Sequence, residues 1–218
     1  MVRLSAILLC LIAAPGVGFA QPKTGAKVPP TPPEDVVKAW KAAGADFGWN
    51  ELEEDEVARW LFAFRTTPGA YWTIILSKAP KDGWAALPAP KQDFFLYLVG
   101  DKFTDENVKG IGAFTQMAAV NLFGSKVTDA SMKEIAGLNR LVALTVAHTK
   151  ITDDGLKHVS GLKMLKEIDL YGTQVTDKGL LILAECKQLT AIDVKKTKAT
   201  PEGVKKLREA LPKALIRG

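Results

Sequence analysis

The chain of 218 residues is poor in the groups that most chemistry needs: two cysteines, two histidines and three tyrosines. Its only extended apolar run is the eleven residues from Leu4 to Ala14. Each shortage excludes something. Cys10 lies inside that run and Cys186 is far from it, so once the run is removed no intrachain disulfide is possible. His148 and His158 do not have the paired spacing of a metal site. No serine or cysteine elbow and no phosphate-binding glycine loop accompanies them. These gaps argue against an enzyme, and nothing in the sequence calls for a cofactor or a metal.

A strict repeat fills most of the chain. Thr104, Thr128, Thr152, Thr176 and Thr200 stand 24 residues apart, and copies begin at 103, 127, 151, 175 and 199 without insertion. A fixed period of this length is the signature of a solenoid. Within each copy one apolar column reads Val108, Met132, Leu156, Leu180, Val204. A second reads Ile111, Ile135, Val159, Leu183, Leu207, and a third Phe114, Leu138, Leu162, Cys186, Ala210. Their spacing of three to four residues is helical. Farther along, Val120 and Leu122, Leu144 and Val146, Ile168 and Leu170, and Ile192 and Val194 are two apart, which is strand spacing. Each copy is therefore a short strand plus a helical arm, and stacking is what buries its apolar side.

The Thr-Asp pair that opens each copy reads as a helix start, with threonine at the N-cap and aspartate in the first turn. Thr200 is followed by Pro201, which suits only the first helical position. A metal ladder along Asp105, Asp129, Asp153 and Asp177 is disfavoured. Lone carboxylates about 4.8 Å apart lack the oxygens that calcium needs.

Leu165, Ile168, Leu170, Thr173, Val175, Thr176, Asp177, Gly179 and Leu180 spell a pattern that resembles the leucine-rich repeat family. More narrowly, it is similar to the T-D-x-G-L repeats of secreted bacterial proteins. The stretch from Leu183 through Cys186 to Leu189 is similar to the cysteine-containing repeats of F-box substrate receptors. The resemblance implies an α/β solenoid, a curved parallel sheet with helical outer arms. Where many members carry asparagine after the strand, this chain has Asp101, Ser125, Thr149, Thr173 and Thr197, expected to form a polar ladder bonding the backbone of the next coil.

Residues 79–102 fit the template once more as a degenerate first coil, its arm spoiled by Pro80, Pro88 and Pro90. Residues 34–78 read as an N-terminal cap. Its helix starts at Glu34, with Val37, Trp40 and Ala43 inward and Gly44 as a stop. A hairpin of residues 57–65 and 71–77 follows, and Trp49, Trp60 and Trp72 are expected to help cover the open end. Residues 21–33 hold five prolines and form an extended spacer. Residues 1–20, with Arg3 before the apolar run, read as a secretory signal peptide cleaved after Ala20. An uncleaved anchor is the alternative, although the run is short for a bilayer. The expected place is the periplasm, the cell envelope or the medium, with no transmembrane span in the mature chain.

The net charge is +5, and its distribution is uneven. Residues 34–56 carry two lysines against eight acids, whereas residues 175–218 carry ten basic residues against five. The basic end lacks the interleaved aromatics that would stack bases, so nucleic acid is not an expected partner.

Function in such a fold is expected on the concave sheet, at strand positions between the buried columns. Those columns are Phe95, Ala119, Ala143, Glu167, Ala191; Tyr97, Asn121, Thr145, Asp169, Asp193; and Val99, Phe123, Ala147, Tyr171, Lys195. The candidate contact residues are Tyr97, Asn121, Phe123, Thr145, His148, Glu167, Asp169, Tyr171, Asp193 and Lys195, serving a protein partner or a glycan. A monomer is the expected form. A scaffold assembling through its charged ends is the alternative, and an enzyme pairing His148 with Asp169 is a further one.

Overall fold

The computed structural model describes residues 32–50, 71–98 and 100–218. Residues 1–20, expected as a signal peptide, most of the proline-rich segment 21–33, Trp60 and residues 57–65 lie outside them, as do the side chain of Trp49 and all of Val99. One sheet runs through the described residues in chain order: β1 Ala45–Asn50, β2 Tyr71–Leu76, β3 Phe94–Leu98, β4 Met117–Asn121, β5 Ala143–Thr145, β6 Glu167–Asp169, β7 Ala191–Asp193 and β8 Leu215–Arg217. β1 is antiparallel to β2, and every later pair is parallel. From β4 to β8 the paired positions are 24 residues apart, as in Leu144 with Ile168 and Ile168 with Ile192. Each connection holds a helical arm: α2 Asp105–Val108, α3 Asp129–Ile135, α4 Asp153–Leu156, α5 Asp177–Ala184 and α6 Pro201–Ala210. The helical and strand columns face each other across one continuous core. Val108, Met132, Leu156 and Leu180 are buried on one side of it, Val120, Leu144, Ile168 and Ile192 on the other.

The helix starts show why the repeat reads T-D-x-G. Thr128, Thr152 and Thr176 each accept the N–H of the residue two ahead, at 3.2–3.3 Å. The aspartate does more than face its own helix, because it reaches into the following coil. Asp153 Oδ1 accepts the N–H groups of Thr176 and Gly179, at 2.8 and 3.0 Å, and Oδ2 accepts the Thr176 hydroxyl at 2.6 Å. Asp105, Asp129 and Asp177 hold Thr128, Thr152 and Thr200 in the same way. A Cβ at Gly155, Gly179 or Gly203 would run into that carboxylate. Asn107 and Ser131 take the place of the glycine in the first two copies, and Ser131 turns the crowding into a hydrogen bond, donating to Asp105 Oδ1 at 2.5 Å. Burial pushes the Asp105 carboxyl up, but the bonds from Ser131 and Thr128 outweigh it and hold it below its usual range. The backbone N–H and hydroxyl of Thr200 hold Asp177 low as well. Among the described residues no group of three or more potential metal ligands converges.

The polar ladder takes a different partner from the one expected. The hydroxyls of Ser125, Thr149, Thr173 and Thr197 donate to the carbonyl three residues back in their own coil, at 2.6–2.7 Å. A short hydroxyl reaches its own turn more easily than the next coil.

The N-terminal cap is a helix, α1 Glu34–Ala42, and a hairpin. Val36 and Trp40, four apart, are its buried pair, whereas the sequence suggested Val37. The Trp40 indole donates to the Pro88 carbonyl at 2.9 Å and packs against Trp84, Phe94 and Phe114. The proline-rich first arm thus serves as an acceptor for the cap. β2 takes its antiparallel partner from residues 45–50, and the expected partner, 57–65, lies outside the described residues. Gly44, at φ +91°, turns the chain straight from α1 into the sheet, and both edges of β2 are then taken by β1 and β3.

Candidate functional site: the strand-end ridge

The ten candidate residues separate by exposure. Tyr97, Asn121, Thr145, Glu167, Asp169 and Asp193 are buried, Phe123 and Tyr171 are half-buried, and His148 and Lys195 are exposed. The strand centres therefore present little side chain to solvent. Part of the cause lies in the face itself: Phe95 and Tyr97 pack with Ala118, Ala119 and Ala143 as a second, smaller apolar cluster. Rows about 4.8 Å apart leave little room between same-face neighbours. Thr145 Oγ1 is fully buried and lacks a hydrogen-bond partner.

Three of the buried polar residues have a local task. Asn121, Asp169 and Asp193 each accept the N–H of the residue two ahead, Phe123, Tyr171 and Lys195, at 2.9 Å. They shape the turn by which each strand ends. Burial raises the Asp169 pKa to about 6, with the neighbouring Asp193 carboxylate adding to it; the Tyr171 N–H and Arg217 oppose the rise. His148 and Asp169 are not joined by a hydrogen bond. The imidazole lies instead between two rings, so the acid–base pair weighed from the sequence is not assembled.

The accessible candidates meet just beyond the strands. The Phe123 and His148 rings have centroids 5.3 Å apart at 78°, and His148 and Tyr171 are 5.0 Å apart at 60°. Lys196 Nζ stands 5.1 Å from the centre of the Tyr171 ring. Four consecutive coils thus contribute one member each to a continuous row. Its spacing is that of the sheet, because the parallel ladder continues into the turns: Gly124 N–H donates to Ala147, His148 to Tyr171 and Gly172 to Lys195.

The sequence reading missed what places these groups. Gly100, Gly124, His148, Gly172 and Lys196 form a column with φ between +54° and +110°, one per coil. Glycine is the ordinary occupant of such a position. His148 and Lys196 hold it with side chains, at a cost of about 1–2 kcal/mol each. Ala147 leaves the ridge position of its coil empty, and the His148 ring fills it. Gly172 makes room, since a Cβ there would lie 3.1 Å from His148 Nδ1. The 24-residue recurrence of Gly100, Gly124 and Gly172 was a visible signal for this column.

The fold is a leucine-rich repeat solenoid. No family model and no curated protein matches the chain. Solved structures similar to it include the internalin inlF of Listeria monocytogenes, at 14% identity and TM-score 0.40, covering 57% of this chain and 40% of that one. A leucine-rich repeat protein of Leptospira interrogans is similar at 20% identity and TM-score 0.39, covering 56% and 35%. Internalin C2 of Listeria monocytogenes is similar at 16% identity and TM-score 0.41, covering 84% and 81%. The chain thus spans less than half the length of the first two. Among the described residues, no helix of this solenoid is long and apolar enough to cross a membrane.

Proposed function

We propose that this chain is a non-enzymatic, extracytoplasmic binding module that meets a protein partner along the strand-end ridge. The observation that carries the reading is the row Phe123, His148, Tyr171 and Lys196, held at sheet spacing by backbone bonds. A preordered aromatic row loses little conformational entropy on binding, and aromatic groups dominate the energetics of protein interfaces. Two side chains sit in this row at left-handed backbone positions that glycine holds in the other coils, and such strain gathers at working surfaces. The rings turn toward one another and Lys196 covers Tyr171. This favours a protein partner over a sugar, which stacks on an open ring face. The extracytoplasmic setting rests on the apolar run Leu4 to Ala14 and the proline-rich spacer behind it.

Affinity capture from an envelope fraction, with the intact chain beside the Phe123→Ala/Tyr171→Ala variant, tests the reading. The intact chain is expected to retain a protein that the variant loses, while the melting midpoints agree within about 3 °C. Equal capture by both would refute it.

A further inference from the structure

Beyond the ridge, an open depression of about 550 Å³ lies at the C-terminal end of the solenoid. Lys195, Lys196 and Arg208 line it above a floor that includes Val194, Pro201 and Val204. Pro201, Val204 and Arg208 fall on one stripe of α6. The two glutamates of that helix, Glu202 and Glu209, do not line the depression. Asp193, the nearest carboxylate on β7, is buried and accepts the Lys195 N–H. Gly218 lines it too, and Arg208 donates to the Ile216 and Gly218 carbonyls at 3.3 and 3.4 Å. The depression therefore offers the two ammonium groups of Lys195 and Lys196, beside an Arg208 guanidinium braced on the backbone, over an apolar floor.

The chain carries the complementary chemistry at its other end. Directly after β1, residues 51–56 read Glu-Leu-Glu-Glu-Asp-Glu, five acids around one leucine. Within one molecule the two cannot meet. From β1 to β7 are six strand spacings, ~29 Å. Asn50 is paired with Tyr71 at the start of β2, whereas Lys195 follows the end of β7, which adds about 20 Å along the strands. Glu56 lies six residues past Asn50, a backbone reach of at most about 20 Å.

We propose that the acidic segment 51–56 of one copy docks into the Lys195–Lys196–Arg208 depression of a second copy, with Leu52 against the apolar floor. The two surfaces differ, so the contact is head-to-tail and adds copies without closing. It is driven by charge and weakens as salt shortens the screening length. The proposal uses the cationic end of the ridge edge but does not depend on the partner proposed for the rings.

Sedimentation velocity of the chain from residue 21 onward, at low and high salt, tests it. The unaltered chain is expected to form a ladder of species at low salt that collapses to monomer at high salt. Lys195→Ala/Lys196→Ala and Glu53→Gln/Glu54→Gln/Glu56→Gln should each remain monomeric alone. Mixed in equal amounts they should form a one-to-one dimer that grows no further, because one intact acidic segment and one intact depression remain. Phe123→Ala should associate like the unaltered chain, which separates this contact from partner binding at the ridge. A monomer at low salt, undiminished association of either charge variant, or a mixture that stays monomeric would each overturn the proposal.

Discussion

Gly179 occupies the first turn of α5, a helix position where alanine is ordinarily worth about 1 kcal/mol over glycine. Here the sign should invert, because a Cβ would lie 2.5 Å from Asp153 Oδ1 and 2.7 Å from Val175 Cγ1. Gly179→Ala is expected to cost about 1–3 kcal/mol in urea unfolding. Asp153→Ala strands three donors and should cost about 2–3 kcal/mol. The double variant should cost less than the sum, because the clash partner is gone. Asp169 gives an opposite case. Its pKa of about 6 lies above the ordinary carboxylate value of 3.8. The folded state therefore binds its proton more tightly, and this group's contribution to stability falls as pH rises from about 4 to 6. Asn121 already fills the same turn position in another coil with a neutral side chain. Asp169→Asn should thus raise stability at pH 7 by about 1–3 kcal/mol and flatten the decline between pH 4 and 6 in thermal melts. Asp105 runs the other way: its pKa is lowered, so its stabilisation is present above pH ~4 and lost in stronger acid. The sequence displayed the T-D-x-G column without its cause. The carboxylate that requires the glycine comes from 26 residues earlier, and no local rule links the two.

At the scale of elements, the strand and the helix start of each coil were legible, since apolar spacing switches from helical to alternating within one copy. The turn between them was only half legible. Gly100, Gly124 and Gly172 of the left-handed column fall on the 24-residue repeat, but His148 and Lys196 interrupt it, and neither residue type marks a left-handed position in the sequence. That interruption has a testable meaning. His148→Gly relieves the backbone and loses two ring contacts, so stability should stay within about 1 kcal/mol of the parent. Partner binding should nevertheless weaken about tenfold or more by titration calorimetry, because the row is cut in its middle. The antiparallel partner that β2 finds in β1 was not legible for a related reason. Residues 45–50 carry little strand propensity, but Gly44 commits the chain to the sheet as soon as α1 ends, and position in the chain outweighed propensity.

For the whole molecule, alternation along a strand identifies which side chains enter the core, and it leaves open whether the other face is wet. Six of the ten candidate residues followed the alternation correctly onto that face and proved buried there. The exposed chemistry lies two or three residues later, where strands turn into arms and successive coils stand in register. From the copy beginning at 103 onward, Asp-Thr bonds fasten each coil to the next, and the aromatic ridge runs along an edge held in register by backbone bonds. Amide hydrogen exchange with the captured partner bound tests this placement most directly. Protection is expected over residues 122–125, 146–149, 170–173 and 194–197, with the outer arms exchanging as in the free chain. Protection confined to α3, α4 and α5, with the turns unchanged, would contradict the account.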